Sequence, residues 1–114
     1  MAFSEFENIR FAKILKAYCD NKYPAHIRNE LYLDYAIKDQ SIILFTVRLR
    51  WDNPSEIVNG MIAKATYVKS TKTWKIYWQR SDLKWHGYEP KQEANSIEDF
   101  LEVVEADEYG CFYG

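Results

Sequence analysis

The segment from residue 61 to residue 80 constrains the fold most, because two runs of alternating apolar and polar side chains flank a short polar turn. The alternating apolar positions are Ala63, Ala65, Tyr67, Trp74, Ile76 and Trp78. A period of two is typical of β-strands, and Ser70-Thr71-Lys72 between the two runs predicts an antiparallel hairpin. Small alanines opposite large tryptophans leave room for a helix to pack on that face of the hairpin.

An earlier hairpin is predicted over residues 31–51, where strands over 31–38 and 42–51 flank Asp39-Gln40-Ser41. The more apolar face of the second strand consists of Ile43, Phe45, Val47, Leu49 and Trp51. A three-residue turn places Ile37 beside Ile43 and brings the two apolar faces to one side, whereas a two-residue turn would pair opposite faces. We therefore expect three turn residues.

Two capping boxes place a helix at each end of the strands. Ser4-Glu5-Phe6-Glu7 begins a helix over residues 4–21, and Ser96-Ile97-Glu98-Asp99 begins a helix over residues 96–105. The expected buried stripe of the first helix is Phe6, Ile9, Ile14, Ala17 and Tyr18. Breaks in the sheet are expected at residues 52–55 and 59–60, and a loop is expected over residues 81–91.

These elements predict an α+β fold of order α-β-β-β-β-α. Its sheet is mostly antiparallel and four-stranded, with both helices on the face that carries Trp74 and Trp78.

The 114 residues suit a single domain over residues 1–114, and a hydrophobic content of 47% supports a core and excludes disorder. Apolar runs are all shorter than the roughly 18 residues that span a membrane, and the polar N-terminus does not resemble a secretion signal. We therefore expect a cytoplasmic protein without membrane contact. Cys19 and Cys111 are then reduced thiols, and a bridge between them would require the two ends of the chain to meet.

The net charge of −2 conceals a separation of charge along the chain. Residues 1–40 carry six basic and six acidic side chains. Residues 41–91 carry nine basic and four acidic side chains, a net charge of +5, whereas residues 92–114 carry seven acidic and no basic side chains, a net charge of −7. Two arrangements follow: the acidic tail lies over the basic strands and neutralises them, or it faces solvent elsewhere.

Six sequence blocks resemble a small bacterial family known as domain of unknown function 3024. The blocks are Pro24-Ala25-His26-Ile27-Arg28, Arg50-Trp51-Asp52-Asn53-Pro54, Lys64-Ala65-Thr66-Tyr67-Val68-Lys69, Trp74-Lys75-Ile76-Tyr77-Trp78-Gln79-Arg80, Asp82-Leu83-Lys84-Trp85-His86 and Asp107-Glu108-Tyr109-Gly110-Cys111-Phe112. They extend over nearly the whole chain. The resemblance implies kinship and brings no activity, ligand or catalytic residue with it.

The first functional hypothesis concerns the polar face of the sheet, where cations and aromatic rings are interleaved. Its candidate ligand-binding residues are Arg48, Arg50, Lys64, Lys75 and Tyr77, with Tyr32 on the same sheet. Because cations bind phosphates and aromatic rings stack on bases, this face is predicted to bind an anionic ligand or nucleic acid without catalysis. An ordinary solvated sheet face contains the same residue types, and the paired RNA-binding aromatics at fixed spacing are absent from the sequence.

The alternative is an enzyme that uses Cys111 as the nucleophile and His86 as its base, with a carboxylate such as Glu89 orienting the imidazole. Zinc bound by both cysteines together with His26 and His86 is a further hypothesis. Spacing supports neither, since the sequence has no C-x-x-C and no H-x-x-x-H motif. Acidic neighbours also raise the pKa of a thiol, so we predict no metal site and packing as a small hydrophobe for Cys111.

Aromatic side chains also concentrate in the 81–91 loop and in the C-terminal tail. These side chains are Trp85, Tyr88, Tyr109, Phe112 and Tyr113, with Trp51 at a strand end. Such rings either close the ends of a small core or form an interface, so a homodimer through the tail is a third hypothesis. The sequence contains no phosphate loop, nucleophile elbow or dinucleotide fingerprint, and we predict no cofactor.

Overall fold

The computed structural model describes residues 3–27, 29–50 and 52–113, and of Arg50 and Pro54 it describes only the backbone. The described residues form two α-helices, α1 (Glu5–Lys22) and α2 (Ile97–Ala106), and a short 3-10 helix over Ala25–Ile27. The strands are β1 (Leu31–Lys38), β2 (Ser41–Arg50), β3 (Asn53–Val68), β4 (Thr73–Gln79), β5 (Trp85–Gly87) and β6 (Glu93–Ala94). Neither α-helix in this part of the chain has the length and apolarity needed to cross a bilayer.

The strands form one antiparallel sheet in the order β1-β2-β3-β4-β5. β6 also pairs with β4, so that β5 and β6 share the edge of β4 that faces away from β3. The α+β class, the antiparallel sheet and the terminal helices are confirmed. The predicted number of four strands is too low, because β5 lies in the segment predicted as a loop and β6 lies just before α2.

Both predicted helix starts are confirmed by their caps. The Ser4 hydroxyl accepts from the N–H of Glu7 at 3.2 Å, and the N–H of Ser4 donates to the Glu7 carboxylate at 3.1 Å. The Ser96 hydroxyl accepts from the N–H of Asp99 at 3.0 Å. These bonds satisfy N–H groups that the first turn of a helix leaves without partners, so each helix begins directly after its serine.

The prediction that both helices pack on the face of Trp74 is confirmed. Phe11 of α1 meets the Trp74 ring edge-on, with 5.4 Å between the ring centroids. Phe100 of α2 is fully buried in the same core as Ala65, which lies on that face of β3. The small β3 side chain leaves the space that the two helices fill.

The turn between β1 and β2 has two residues, Asp39 and Gln40, so the predicted three-residue turn is wrong. Asp39 has φ 54°, a left-handed conformation that aspartate adopts more readily than most non-glycine residues. The shorter turn moves every β2 side chain to the other side of the sheet relative to our expectation. Ile42 and Leu44 are consequently buried under the helices, whereas Ile43, Phe45, Val47 and Leu49 lie on the opposite side. Trp51, the last residue of the predicted apolar face, lies outside the described part of the chain.

α1 also buries a different stripe from the predicted one. Its buried side chains are Phe11, Leu15 and Cys19, whereas Phe6 and Ile9 are 79% and 63% exposed. The members of the predicted stripe that pack partly against the core are Ile14 and Tyr18. Apolar side chains occur on several sides of this helix, so periodicity alone did not select the stripe that meets the sheet.

β3 is longer than predicted, since it begins at Asn53 and continues through Gly60. Of the expected break at residues 52–55, only Asp52 lies in a turn, since Asn53 already pairs with Arg50. A register shift leaves Ile62 as an additional residue in the strand, which is the pattern of a β-bulge. Gly60 lies within the strand rather than in a turn, and its lack of a side chain lets the Thr46 side chain of β2 approach the β3 backbone. A Cβ at this position would lie 2.8 Å from the Thr46 hydroxyl oxygen.

Candidate ligand-binding face

The two faces of the sheet have different surroundings. The core face lies against α1 and α2. The opposite side, called the outer face below, carries the alternate residues of the same strands. Its residues include Lys38, Ser41, Ile43, Phe45, Met61, Lys64, Thr66, Lys75, Tyr77, Gln79 and Trp85.

Lys64 lies within a small aromatic cluster on the outer face. It pairs directly with Tyr77 across β3 and β4, and its Nζ is 5.6 Å from the centroid of the Tyr77 ring. The same Nζ is 5.8 Å from the centroid of the Trp85 ring. Both distances are within the range of cation–π attraction, and both rings are half-buried. A cation and two partly accessible ring surfaces therefore occupy one short stretch of three adjacent strands.

A second cation, Lys75, lies one cross-strand row away from this cluster. It pairs with Thr66 in β3, and its side chain is exposed. Thr66 in turn shares a hydrogen bond of 2.8 Å with Ser41, the two hydroxyl oxygens being the partners. Lys38 pairs with Ser41 at the far end of the same row. This row therefore presents two ammonium groups with hydroxyl groups between them.

The structure brings together three of the five predicted ligand-binding residues. Lys64, Lys75 and Tyr77 share the outer face. Arg48 lies in β2 on the same side as Leu44, which is the core face, so the strand alternation directs it away from Lys64. The side chain of Arg50 lies outside the described part of the chain.

Sequence reasoning missed Trp85 and Lys38 as members of this face. Trp85 belongs to a strand of three residues, which is too short for a period of two to be recognised before its pairing with Gln79 is known. Lys38 ends β1 and lies on the same side of that strand as Tyr32, because the two residues are an even number of positions apart. The alternation of β1 was therefore a signal for Lys38, but the prediction did not include it among the ligand-binding residues.

The rest of the outer face lies toward the other ends of β1, β2 and β3 and is mainly apolar, with Asp34 opposite Phe45 and Asn59 opposite Val47 among its polar members. Ile43 and Phe45 are half-buried, and Met61, which pairs with Phe45, is 36% exposed. Other apolar side chains in this half are Tyr32, Val47, Leu49 and Ile57. The outer face therefore has a basic and aromatic half and a mainly apolar half.

The acidic tail does not lie over the basic half of the outer face, because α2 packs on the core face. Two of its carboxylates pair instead with cations of α1: Glu98 lies 3.5 Å from Arg10, and Glu105 lies 2.6 Å from Lys22. Asp99 pairs with Lys91. Glu93 is the acidic residue that β6 brings next to Lys75 at the edge of β4.

Cys111 and His86 line the same depression of about 380 Å³ beside Trp78 and Arg80. Each of the two side chains forms its hydrogen bond with a different residue rather than with the other. His86 Nε2 is 2.9 Å from an Asp82 carboxylate oxygen, and the Cys111 thiol contacts the carbonyl oxygen of Tyr109 at 4.0 Å. Burial, together with the nearby carboxylate of Asp107, raises the pKa of Cys111. The thiolate form is therefore disfavoured at neutral pH.

The other members of the proposed zinc set lie apart from this depression. Cys19 is buried in α1, and its pKa is raised to about 12, mainly by burial and secondarily by the negative charge of Asp34. His26 is exposed in the 3-10 helix. Both cysteines are free thiols. Within residues 3–27, 29–50 and 52–113, no three metal-binding side chains converge on one point.

The aromatic tail is largely engaged within its own chain. Phe112 is 6% exposed and packs on Tyr88, with 4.8 Å between ring centroids. The Tyr113 hydroxyl is hydrogen-bonded to the Tyr18 hydroxyl at 2.8 Å, and the Lys22 ammonium lies 3.8 Å from the centroid of the Tyr113 ring. These contacts are those of core closure, and the homodimer hypothesis stays a prediction.

Taken together, the described elements define a small α+β protein in which two helices cover one face of an antiparallel sheet and the other face carries a basic, aromatic cluster. The chain belongs to the family described as Domain of unknown function (DUF3024), whose model matches residues 3–114. The resemblance inferred from the six sequence blocks is thereby confirmed. No curated protein and no solved structure matches the chain.

Proposed function

We propose that this protein is a non-catalytic, cytoplasmic binding module of one domain whose outer face binds single-stranded nucleic acid. Lys64 would bind a backbone phosphate, Lys75 would add positive charge beside it, and Tyr77 and Trp85 would stack on bases. The observation that carries the proposal is the position of the Lys64 ammonium over both aromatic rings, on the face opposite the acidic helix.

The chemistry of this cluster matches the two requirements of single-strand binding. Aromatic stacking contributes about 1–3 kcal/mol per base and tolerates any sequence, because every base has a π-face. Phosphate contacts add a salt-dependent term, with a slope of about 0.7 per phosphate for single strands. The net charge of −2 does not oppose this, since Glu98 and Glu105 form their ion pairs with α1.

The test is fluorescence anisotropy of a labelled oligouridine at low and moderate salt. Trp85→Ala removes one stacking surface, and we expect about tenfold weaker binding. Lys75→Glu reverses an exposed charge beside the cluster, and we expect about tenfold weaker binding at low salt together with a smaller salt slope.

Lys13→Glu is the matched control, because it makes the same change of charge on an exposed position of α1. Its affinity should stay within about twofold of the unaltered protein. Absence of binding at low salt, or an equal loss in the Lys13 and Lys75 variants, would refute the proposal.

A Cys/His-dependent enzyme is the second candidate, supported by the depression that Cys111 and His86 share. Two observations weigh against it. The imidazole is paired with Asp82 rather than with the thiol, and the pKa of Cys111 is raised rather than lowered. An activated cysteine needs the opposite shift.

A further inference from the structure

A depression of about 370 Å³ lies on the outer face where β5 ends and β6 begins. Its lining side chains are Lys75, Tyr77, Glu89, Gln92 and Glu93, and Gly87 and Ile76 complete it. Tyr77 and Lys75 also belong to the basic, aromatic cluster described above. The depression is therefore a lateral extension of the proposed nucleic-acid site.

The strand pairing explains why space remains here. β4 pairs with β5 at Tyr77 and with β6 at Lys75, and the chain between these two pairs makes a turn at Glu89 and Pro90. Gly87, opposite Tyr77, leaves the space beside the ring open, since an added Cβ would meet nothing within 4 Å. The backbone N–H of Ile76 donates to the carbonyl oxygen of Gln92, and its own carbonyl oxygen accepts from the N–H of Tyr88.

The polar groups of this depression differ from those of the neighbouring cluster. Glu89 and Glu93 bring two carboxylates, which accept hydrogen bonds and repel phosphate. Lys75 brings a donor beside them, and the Tyr77 ring brings a stacking surface. These groups are complementary to a planar ring that stacks on Tyr77, donates N–H groups to a carboxylate along one edge and accepts a hydrogen bond from Lys75 at the adjoining edge.

Among the four bases, guanine has that pattern. Its N1–H and N2–H₂ groups are adjacent donors that one carboxylate can accept together, and its O6 is an adjoining acceptor for an ammonium group. Adenine and cytosine each offer one amino group, and uracil offers one N–H between two carbonyl groups. A volume of about 370 Å³ lies within the range of sites that bind small molecules.

We propose that this depression is a guanine-preferring base pocket, in which a carboxylate of Glu89 or Glu93 accepts from N1–H and N2–H₂ and Lys75 donates to O6. The inference rests on the proposed function, because the phosphates of the same strand would be held by the cations of the outer face. Base discrimination then comes from the carboxylates and general affinity from the lysines.

The experiment compares oligouridines that carry one central guanosine, adenosine, cytidine or inosine. The guanosine oligomer should bind about tenfold more tightly than oligouridine itself, since a well-placed bidentate pair discriminates to that extent. Inosine keeps N1–H and O6 but lacks the N2 amino group, so most of the preference should disappear. Glu89→Gln or Glu93→Gln should abolish it, with affinity for oligouridine unchanged within about twofold.

Glu102→Gln is the matched control, because it removes an exposed carboxylate of α2. Equal binding of all four substituted oligomers would overturn the base pocket and leave the proposed function intact. A guanosine preference that survives in both glutamine variants would also overturn it. Failure of every oligomer to bind would overturn the proposed function and the pocket together.

Discussion

The two faces of the sheet are built from the same strands and yet meet different surroundings. On the core face, Ala63 and Ala65 are fully buried and lie beside the buried rings and aliphatic side chains of β2 and β4. On the outer face, the alternate β3 residues Lys64 and Thr66 are only half-buried. This contrast indicates that side-chain volume, rather than apolar character alone, decided where the helices pack.

β2 makes this point most clearly, because it is apolar on both faces. Its more apolar face carries Ile43 and Phe45, yet Ile42 and Leu44 are the residues with no exposed surface. Ile42 pairs with Ala65, and Leu44 pairs with Ala63. The small partners provide the space that a close-packed helix needs, whereas Ile43 on the other face pairs with the much larger Lys64.

The largest expected effect comes from two substitutions in β4, one on each face. Trp74→Ala removes a ring that is 3% exposed and contacts Phe3 and Phe11, and should lower the free energy of unfolding by about 4 kcal/mol. Tyr77→Ala on the outer face should lower it by about 1 kcal/mol or less. Urea unfolding followed by circular dichroism measures both. Equal losses would show that the outer face is also a packed core.

A smaller effect is expected where the C-terminal tail closes the core beneath α1. Tyr113→Phe removes the hydroxyl that bonds to Tyr18 at 2.8 Å and should reduce the free energy of unfolding by about 1 kcal/mol. Burial is the main reason that the pKa of Tyr18 is raised to about 12, so this bond persists through neutral and mildly alkaline pH. Tyr109→Phe is the control, since Tyr109 is 67% exposed, and an equal loss there would contradict the assignment.

The smallest effect concerns the carboxylate that holds the start of α2 beside the core. Lys91 donates to Asp99 at 3.0 Å and the N–H of Asn95 donates to it at 3.1 Å, and these bonds lower the pKa of Asp99 below its ordinary 3.8. The bonds to Asp99 therefore stabilise the folded state at pH values where Asp99 is ionised in the unfolded chain, that is, above about 3.8. This stabilisation is lost as the pH falls through the lowered pKa of the folded state.

Asp99→Asn should accordingly reduce the free energy of unfolding by about 0.5 kcal/mol at neutral pH. The difference from the unaltered protein should shrink as the pH falls below 3.8. Urea unfolding over a pH series measures it, and a difference that grows toward acid pH would contradict the assigned bonds.

Local rules account for the features that the sequence predicted correctly. Ser4 and Ser96 cap their helices through bonds that reach only three residues along the chain. The alternation around Trp74 is equally local, and it identified the core face of β3 and β4. For the candidate site, the same alternation placed Lys64, Lys75 and Tyr77 together, because they belong to one hairpin.

The predictions that failed depended on contacts between distant segments. The length of the β1–β2 turn was predicted from which face of β2 is more apolar, whereas the observed register places the β2 side chains opposite the alanines of β3 on the core face. Arg48 was placed on the basic face for the same reason, since one residue of register reverses the side on which it lies. In α1, Phe11 packs against Trp74, and this orientation of the helix leaves Phe6 and Ile9 exposed.

Sequence patterns alone were sufficient to identify the class of fold, the helix starts, the core face of the second hairpin and the family. The packed molecule was needed to show which face of β2 is buried, where the acidic helix lies and that Trp85 joins Lys64 and Tyr77. The two sets of features differ in the range of the interactions that produce them. Caps and alternation act within a few residues, whereas burial depends on the volume left by side chains that are far apart in the chain.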